Sequence, residues 1–321
     1  MHLFFQKNVI YMKGRGIMSE RKLEITDKTL VVLDLIYKEK IRKKIPKLRE
    51  LIKLLYEIGS DYIEITEDLY KELYPFPKGV RFKLNNNLMV IKGDCNIYEN
   101  ISNELLDINN NENIRIVGLD DIIFYDYEKI FLDIKKNFGE NIDMCIKNEY
   151  KAATAMNLEW IKLGGNKVVT TFAGIGGYAP LEEILGSLSF LEKIKIRGNQ
   201  KLFPKVINLF EDITESKLRT DMPFIGKDIF NVESGIHVNG IAKNPSTYEP
   251  YDPSEIGRKR NIIIGKHSGI NALEIKLSEL NIKYNSDNLK LMLEDVRKLS
   301  TQNRRGLNNE EIEGIYKKYC T

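Results

Sequence analysis

His2, His237 and His267 are the whole imidazole supply of this 321-residue chain. No two are close in sequence, so a site built from a local histidine pair is ruled out. An imidazole with an ordinary pKa takes or supplies a proton near neutrality. A lone histidine in an arbitrary sequence, however, more often satisfies a structural hydrogen bond. The cysteines, Cys95, Cys145 and Cys320, are odd in number and far apart, with no CxxC. That spacing argues against a disulfide framework and a structural zinc site, and it points to a reducing cytoplasm. Cys145 sits in an apolar run, where burial is the expected fate and nucleophilic use the exception. The Gly-Gly pairs at 164–165 and 176–177 are turn signals. Neither GxGxxG nor GxxxxGK[ST] is present to make them phosphate loops.

The bulk composition narrows the classes further. With 49 Lys+Arg against 46 Asp+Glu the net charge is +3, too near balance to suggest a nucleic-acid partner. Hydrophobic residues make up 42% of the chain, enough for a sizeable core. The longest apolar runs are only a few residues, so no segment reads as a membrane span. Residues 1–24 read as a disordered leader. The first 16 are basic, and their apolar run is too short and interrupted for a secretory segment. Met18 opens MSERKLEI and offers an alternative start.

The elements that must position any site follow from periodicity. Residues 30–35 (LVVLDL) read as a buried strand. Residues 45–58 read as a helix, with Ile45, Leu48, Leu51, Ile52 and Leu55 on one face and Pro46 in its first turn. Residues 61–66, 114–117, 142–146 and 167–172 read as further strands, with helices at 127–138 and from about Pro180 onward. Strand–helix alternation of this kind predicts an α/β fold with a parallel sheet. Residues 67–112 hold apolar runs at 80–84 and 88–91 and an Asn-rich tract at 107–113, too little for several strand–helix units. From about residue 220 the texture becomes loop-rich, with many Pro and Gly, and helices follow at about 270–280, 286–300 and 308–319. Ser286-Asp287 and Asn308-Asn309 read as the N-caps of the last two. We place a domain boundary at 218, with a barrel over 25–218 and a linker module over 219–321.

Residues 231–269 (NVESGIHVNGIAKNPSTYEPYDPSEIGRKRNIIIGKHSG) hold ESGIHVNG, KNPSTYEPYDP and IGKHSG in close succession. In order and spacing these motifs resemble the linker subdomain that follows the barrel in the homocitrate synthase and isopropylmalate synthase family. Upstream, residues 175–188 (IGGYAPLEEILGSL) resemble that family's last-strand motif. Residues 145–157 (CIKNEYKAATAMN) resemble its HxHNDxGxAxAN strand end, and residues 27–32 (DKTLVV) its DTTLRDGEQ start. The resemblance implies a TIM barrel, but a degenerate and shortened one. The span from Ile25 to Ser216 falls short of the about 250 residues a (β/α)₈ barrel takes, with the deficit at 67–112.

The resemblance also shows what is lost. In the family a divalent metal is held by the Asp of RDGEQ and both histidines of HxH, beside an Asn of the last motif. Here the Arg-Asp pair falls at Val31 and Val32, the histidines at Cys145 and Lys147, and the Asn at Tyr178. Valine has no ligand atom, and a lysine ammonium is a donor only. No metal is therefore expected on this chain. What the resemblance preserves is the post-barrel pair: a His and a Tyr that reach across a dimer into the partner's barrel, matching His237 and Tyr248. Glu233 either orients His237 or caps a loop, and His267 either closes a turn or lines the site. Tyr248 lies among prolines, where packing is the competing role. Arg258-Lys259-Arg260 reads as a surface charge cluster, with coenzyme A phosphates as the alternative contact.

The implied function is that of a non-metal-binding subunit of a split homocitrate synthase. It would lend His237 and Tyr248 in trans to an alpha-type subunit that carries a magnesium- or manganese-class metal. Acetyl-CoA and 2-oxoglutarate would meet at the shared site, and homocitrate would serve the iron–molybdenum cofactor of nitrogenase. Two other readings stand beside it: a non-catalytic regulatory or ligand-binding relative, and a self-sufficient isopropylmalate- or citramalate-type synthase.

Overall fold

The computed structural model describes residues 23–85, 89–93, 114–139, 141–233, 240 and 244–319. Residues 1–22 of the leader, the Asn-rich tract, Cys95, His237 and Cys320 lie outside the described residues, and the leader's expected end at 24 is a correction, because Glu24 already opens the first strand. Seven strands form one sheet: β1 (Glu24–Asp27), β2 (Tyr62–Ile65), β3 (Phe82–Leu84), β4 (Met89–Gly93), β5 (Ile114–Gly118), β6 (Asp143–Ile146) and β7 (Lys167–Thr170). Their order is β3-β2-β1-β7-β6-β5-β4, and every pairing is parallel. The first and last strands lie side by side, from Glu24 opposite Lys167 to Asp27 opposite Thr170, as in a barrel wound to closure. The two edges are β3 and β4, which are consecutive among the described strands. This is the degenerate TIM-like barrel expected from the sequence, and among the described residues its opening lies between β3 and β4, inside 67–112.

Helices α1 (Thr29–Tyr37), α2 (Glu39–Arg42), α3 (Ile45–Ile58), α4 (Glu67–Glu72), α5 (Tyr127–Phe138), α6 (Ala153–Lys162), α7 (Leu181–Gly186) and α8 (Phe203–Thr214) accompany the sheet. Helix α3 runs over the residues its spacing predicts, with Pro46 in its first turn. Residues 30–35 are a correction, because they belong to α1 and the first strand is the shorter EITD segment before them. Leu30, Val31, Val32 and Leu33 are all buried, since the start of α1 is driven into the core. A continuous apolar run of that length cannot be told from a buried strand by periodicity. The helix leaves the core at Leu35 and Ile36, which are exposed.

Alternation along each strand sorts the side chains into two layers. Ile25, Ile63, Ile65, Ile116, Met144, Ile146 and Val168 join Leu51, Leu55, Phe131, Trp160 and Phe210 in the main apolar core. The other face is charged. Glu64 pairs in register with Lys83, and Arg115 with Asp143. Arg115 Nη2 lies 2.6 Å from Glu64 Oε2 and 2.9 Å from Asp143 Oδ2. Lys83 joins the chain of charges by pairing with Glu24 and lying 3.5 Å from Asp143. The usual TIM-barrel interior is filled by branched aliphatic side chains; this one is built around ion pairs.

Beyond the sheet, β8 (Asn231–Val232) and β9 (Asn261–Ile262) form a two-stranded parallel ribbon. Helices α9 (Ile270–Glu279), α10 (Leu289–Asn303) and α11 (Asn309–Lys317) gather a second apolar cluster around Leu273, Leu277, Met292, Val296 and Ile312. Asn308 caps α11 with a full capping box to Glu311. Ser286-Asp287 does not cap α10. Asn285 caps a single 3₁₀ turn there, and the helix starts at Leu289. Phe224 and Tyr251 of the loop-rich segment stack on Phe190, with centroids 6.3 and 4.6 Å away, and so dock that segment on the barrel.

Candidate functional site

The post-barrel motifs converge. Glu233, which opens ESGIHVNG, accepts the backbone N–H of His267 on Oε1 at 3.2 Å. Its own carbonyl accepts the Ser268 hydroxyl at 3.4 Å. The Ser268 hydroxyl oxygen also accepts the Gly265 N–H at 2.9 Å, so IGKHSG folds back on itself against Glu233. Gly265 is required by this approach, because a Cβ there would lie 2.6 Å from Glu233 Oε1. At the far end of the first motif, Gly240 lies flat against Tyr248, where a Cβ would overlap the ring. Tyr248 itself is 43% exposed. Glu233 and Gly240 thus bracket the segment that carries His237, one clamped by the IGKHSG loop and the other by the tyrosine. Glu233 acts here as the clamp of that loop, and His267 meets it through its backbone.

Arg258 and Arg260 are engaged internally. Arg258 donates to the Ile225 carbonyl, and Arg260 grips Glu249 through Nε and Nη2. Neither guanidinium is held toward a coenzyme, so the surface-cluster reading fits these two better than the phosphate contact.

The barrel mouth assembles the positions where the sequence departs from its relatives. Lys147 follows β6 and bridges to Tyr178 in antiparallel fashion. Its ammonium sits 3.7 Å from the Tyr178 ring centroid and donates to the Gly176 carbonyl at 2.9 Å. Lys28 Nζ approaches the same ring at 5.3 Å and Glu64 at 3.7 Å. Gly176 packs on Val32, whose Cγ1 would lie 2.7 Å from a Cβ there. Cys145 is fully buried, and burial pushes its thiol up to about 11, which leaves it protonated and poorly nucleophilic. These residues do not fit a divalent metal: valine methyls, a phenol ring and a cation occupy the ligand positions. Among the described residues, no group of three or more His, Cys, Asp or Glu could hold a metal ion.

Two buried carboxyls behind the mouth escaped the sequence reading. Asp27 accepts the Thr29 N–H at 3.0 Å and the Thr29 hydroxyl at 2.8 Å, and that hydroxyl in turn accepts the Phe172 N–H. Glu182 Oε2 accepts the Ala173 N–H at 2.9 Å, while its Oε1 has no partner. Burial pushes Asp27 up to about 7 and Glu182 up to about 8. Both pKa values are raised above the unfolded ones. Their stabilising contribution is therefore complete below the unfolded values of 3.8 and 4.5, is lost progressively as pH rises from there, and is gone once pH has passed about 7 and about 8. Melting temperatures recorded from about pH 5 to about pH 9 should fall across that window. Glu182→Gln keeps the acceptor for Ala173 and should flatten the fall; an unchanged profile would place the titration elsewhere.

Comparison with known proteins completes the picture. Residues 224–304 match the family described as homocitrate synthase post-HMGL domain-like. In a gapped alignment of 345 positions the chain is 32% identical to the homocitrate synthase omega subunit of Clostridium pasteurianum, covering 90% of this chain and 98% of that one. Over 186 residues it is 36% identical to 2-isopropylmalate synthase 2 of Caldanaerobacter subterraneus, covering 57% of this chain and 48% of the relative. Over 169 residues it is 32% identical to a homocitrate synthase of Methanothermobacter thermautotrophicus, covering 52% and 43%. The match spans less than half the length of these last two relatives. No helix is long and apolar enough to cross a membrane, among the described residues.

Proposed function

The chain belongs to the homocitrate synthase and isopropylmalate synthase family, and we propose that within it the chain is the non-metal-binding half of a split homocitrate synthase. The observation that carries this is the contrast between its two halves. The barrel mouth is closed by Lys147, Tyr178 and Val32, whereas the three post-barrel motifs hold one another in place around a half-exposed tyrosine. Similarity over nearly the full length to a protein called an omega subunit supports a partner chain.

In this reading the reaction joins acetyl-CoA, 2-oxoglutarate and water to give homocitrate and coenzyme A. The metal belongs to the partner's barrel. This chain reaches into that barrel with His237 and Tyr248. His237 takes a proton from the acetyl methyl group or supplies one to the product. The Tyr248 hydroxyl donates to the oxygen on which negative charge develops. Glu233 is a positioning residue that fixes the loop beside them. The setting is cytoplasmic, and supply of homocitrate to the nitrogenase iron–molybdenum cofactor is the physiological role that fits.

The test is acetyl-CoA consumption with 2-oxoglutarate, measured for the chain alone, for an alpha-type subunit with intact RDGEQ and HxH motifs, and for their mixture. The mixture should far exceed either chain alone. Equal activity of the lone chain overturns the proposal. If adding the chain instead depresses an intact relative, it is a regulator.

A further inference from the structure

Arg258 and Arg260 are engaged, and a further group of cations lies at the IGKHSG loop and α10. Lys266 from that loop and Arg297 and Lys298 from α10 line a groove of about 470 Å³ together with Thr301 and Gln302. No carboxylate lines it. Elsewhere in the same module Lys276, Arg305 and Lys318 each face an acidic partner within 4 Å. Three like charges around one groove repel one another, and a polyanion relieves that repulsion.

The groove is also held rigidly. Arg297 Nε and Nη2 both donate to the Ser268 carbonyl, at 3.3 and 2.8 Å. The guanidinium is thereby tied to the loop that Glu233 clamps. Thr301 donates back to the Arg297 carbonyl at 2.7 Å, which fixes its side chain on the same wall. The arrangement gathers one guanidinium and two ammonium charges, which together attract phosphate oxygens. Its volume falls within the about 300–1,000 Å³ of small-molecule sites.

We propose that this groove, which shares the IGKHSG loop with the Glu233 clamp, is the anion subsite that holds the phosphate groups of a coenzyme A thioester. The inference rests on the acyl-transfer reading above, which requires such a thioester at this end of the chain. It places coenzyme A recognition on the chain that lacks the metal, while the 2-oxo acid is selected by the other.

Calorimetry of the full chain with coenzyme A tests this directly. Lys266→Ser combined with Lys298→Ser should weaken binding about tenfold or more, and binding to the wild type should weaken as salt rises. Adenosine 3′,5′-bisphosphate should compete, because it carries phosphates of the same chemistry, and acetyl-pantetheine, which lacks them, should not. In the two-chain mixture the double variant should raise KM for acetyl-CoA about tenfold, with kcat and the size-exclusion profile of the pair unchanged. Both lysines are exposed, so the melting temperature should hold and would separate lost binding from lost folding. Equal coenzyme A affinity in variant and wild type overturns the subsite. So does loss of pairing in the variant, which would make the groove a protein contact. An active mixture whose KM is unmoved overturns the subsite and leaves the split-enzyme reading standing. A mixture that never consumes acetyl-CoA overturns that reading, while calorimetry still decides whether the groove takes phosphates.

Discussion

Alanine at position 237 lowers kcat of the two-chain enzyme by about 10²- to 10⁴-fold and leaves the pair assembled. The size of the effect follows from the role assigned to the imidazole, a proton transfer that no neighbouring group in the motif replaces. The insensitivity of assembly follows from how the segment is held. Its two flanks are fixed by Glu233 against IGKHSG and by Gly240 against the Tyr248 ring, and neither contact uses the His237 side chain. Steady-state kinetics with size-exclusion chromatography decide the matter. A pair that dissociates would make His237 a structural contact, and an unaltered kcat would remove it from the chemistry. Tyr248→Phe is the companion experiment, since it keeps the ring against Gly240 and removes only the hydroxyl. Loss of one oxyanion donor costs about 10²- to 10³-fold in kcat. The pH dependence of kcat should stay as in the wild type for Tyr248→Phe and lose the limb set by the imidazole in His237→Ala.

Arg115→Met lowers the unfolding free energy by about 3–5 kcal/mol. Arg115 is the cation shared by two buried carboxylates, Glu64 and Asp143. Burial and these neighbours act in opposite senses on the guanidinium, and the net result holds its pKa above the ordinary value. Removing it leaves Glu64 without a close cation except Lys28, 3.7 Å away. Urea denaturation should show a lower midpoint with an unchanged slope. Adding Glu64→Gln to Arg115→Met should recover part of the loss, because it removes the stranded charge. Arg42→Met is the control: its carboxylate partners, Asp34 and Glu72, lie at partly exposed positions, and pairs of that kind are worth about 0–1 kcal/mol. Equal losses from Arg115→Met and Arg42→Met would show that the interior network contributes no more than a surface pair.

Much of this architecture is legible in the sequence where a local rule and the tertiary fold agree. Helix α3 reads directly because its apolar residues recur at helical spacing and Pro46 marks its start. The position of the barrel's opening follows from arithmetic, since residues 67–112 hold too few for the missing units. The start of α1 was hidden because four consecutive buried residues carry no period. The charged interior was hidden for a different reason. Arg115 sits between Ile114 and Ile116, and Glu64 between Ile63 and Ile65. A single charge in an apolar strand is visible, but whether its face meets solvent or another strand depends on curvature, which no local window contains. In the post-barrel module the motifs identify the residues, and only the fold shows that Glu233 serves the IGKHSG loop through its carboxylate.

The strand order has a consequence for how the chain reaches its native state. Strands β1 to β3 are neighbours in sequence as well as in space, and so are β4 to β7. Each set can form by short-range βαβ steps. Among the described residues the two halves share backbone pairing along β1 and β7, whose paired residues are separated by most of the barrel's length, and they are tied across the interior by Glu64 to Arg115 and Lys83 to Asp143. An intact barrel has a second junction between its halves; among the described residues β3 and β4 are the two edges of the sheet and do not pair with each other. Folding should therefore be gated by a late, non-local docking event, with one edge of Glu24–Asp27 unpaired until Lys167–Thr170 emerges. A split enzyme built on such a chain would have its assembly timed by that docking, since the post-barrel module is synthesised after the last strand that completes it.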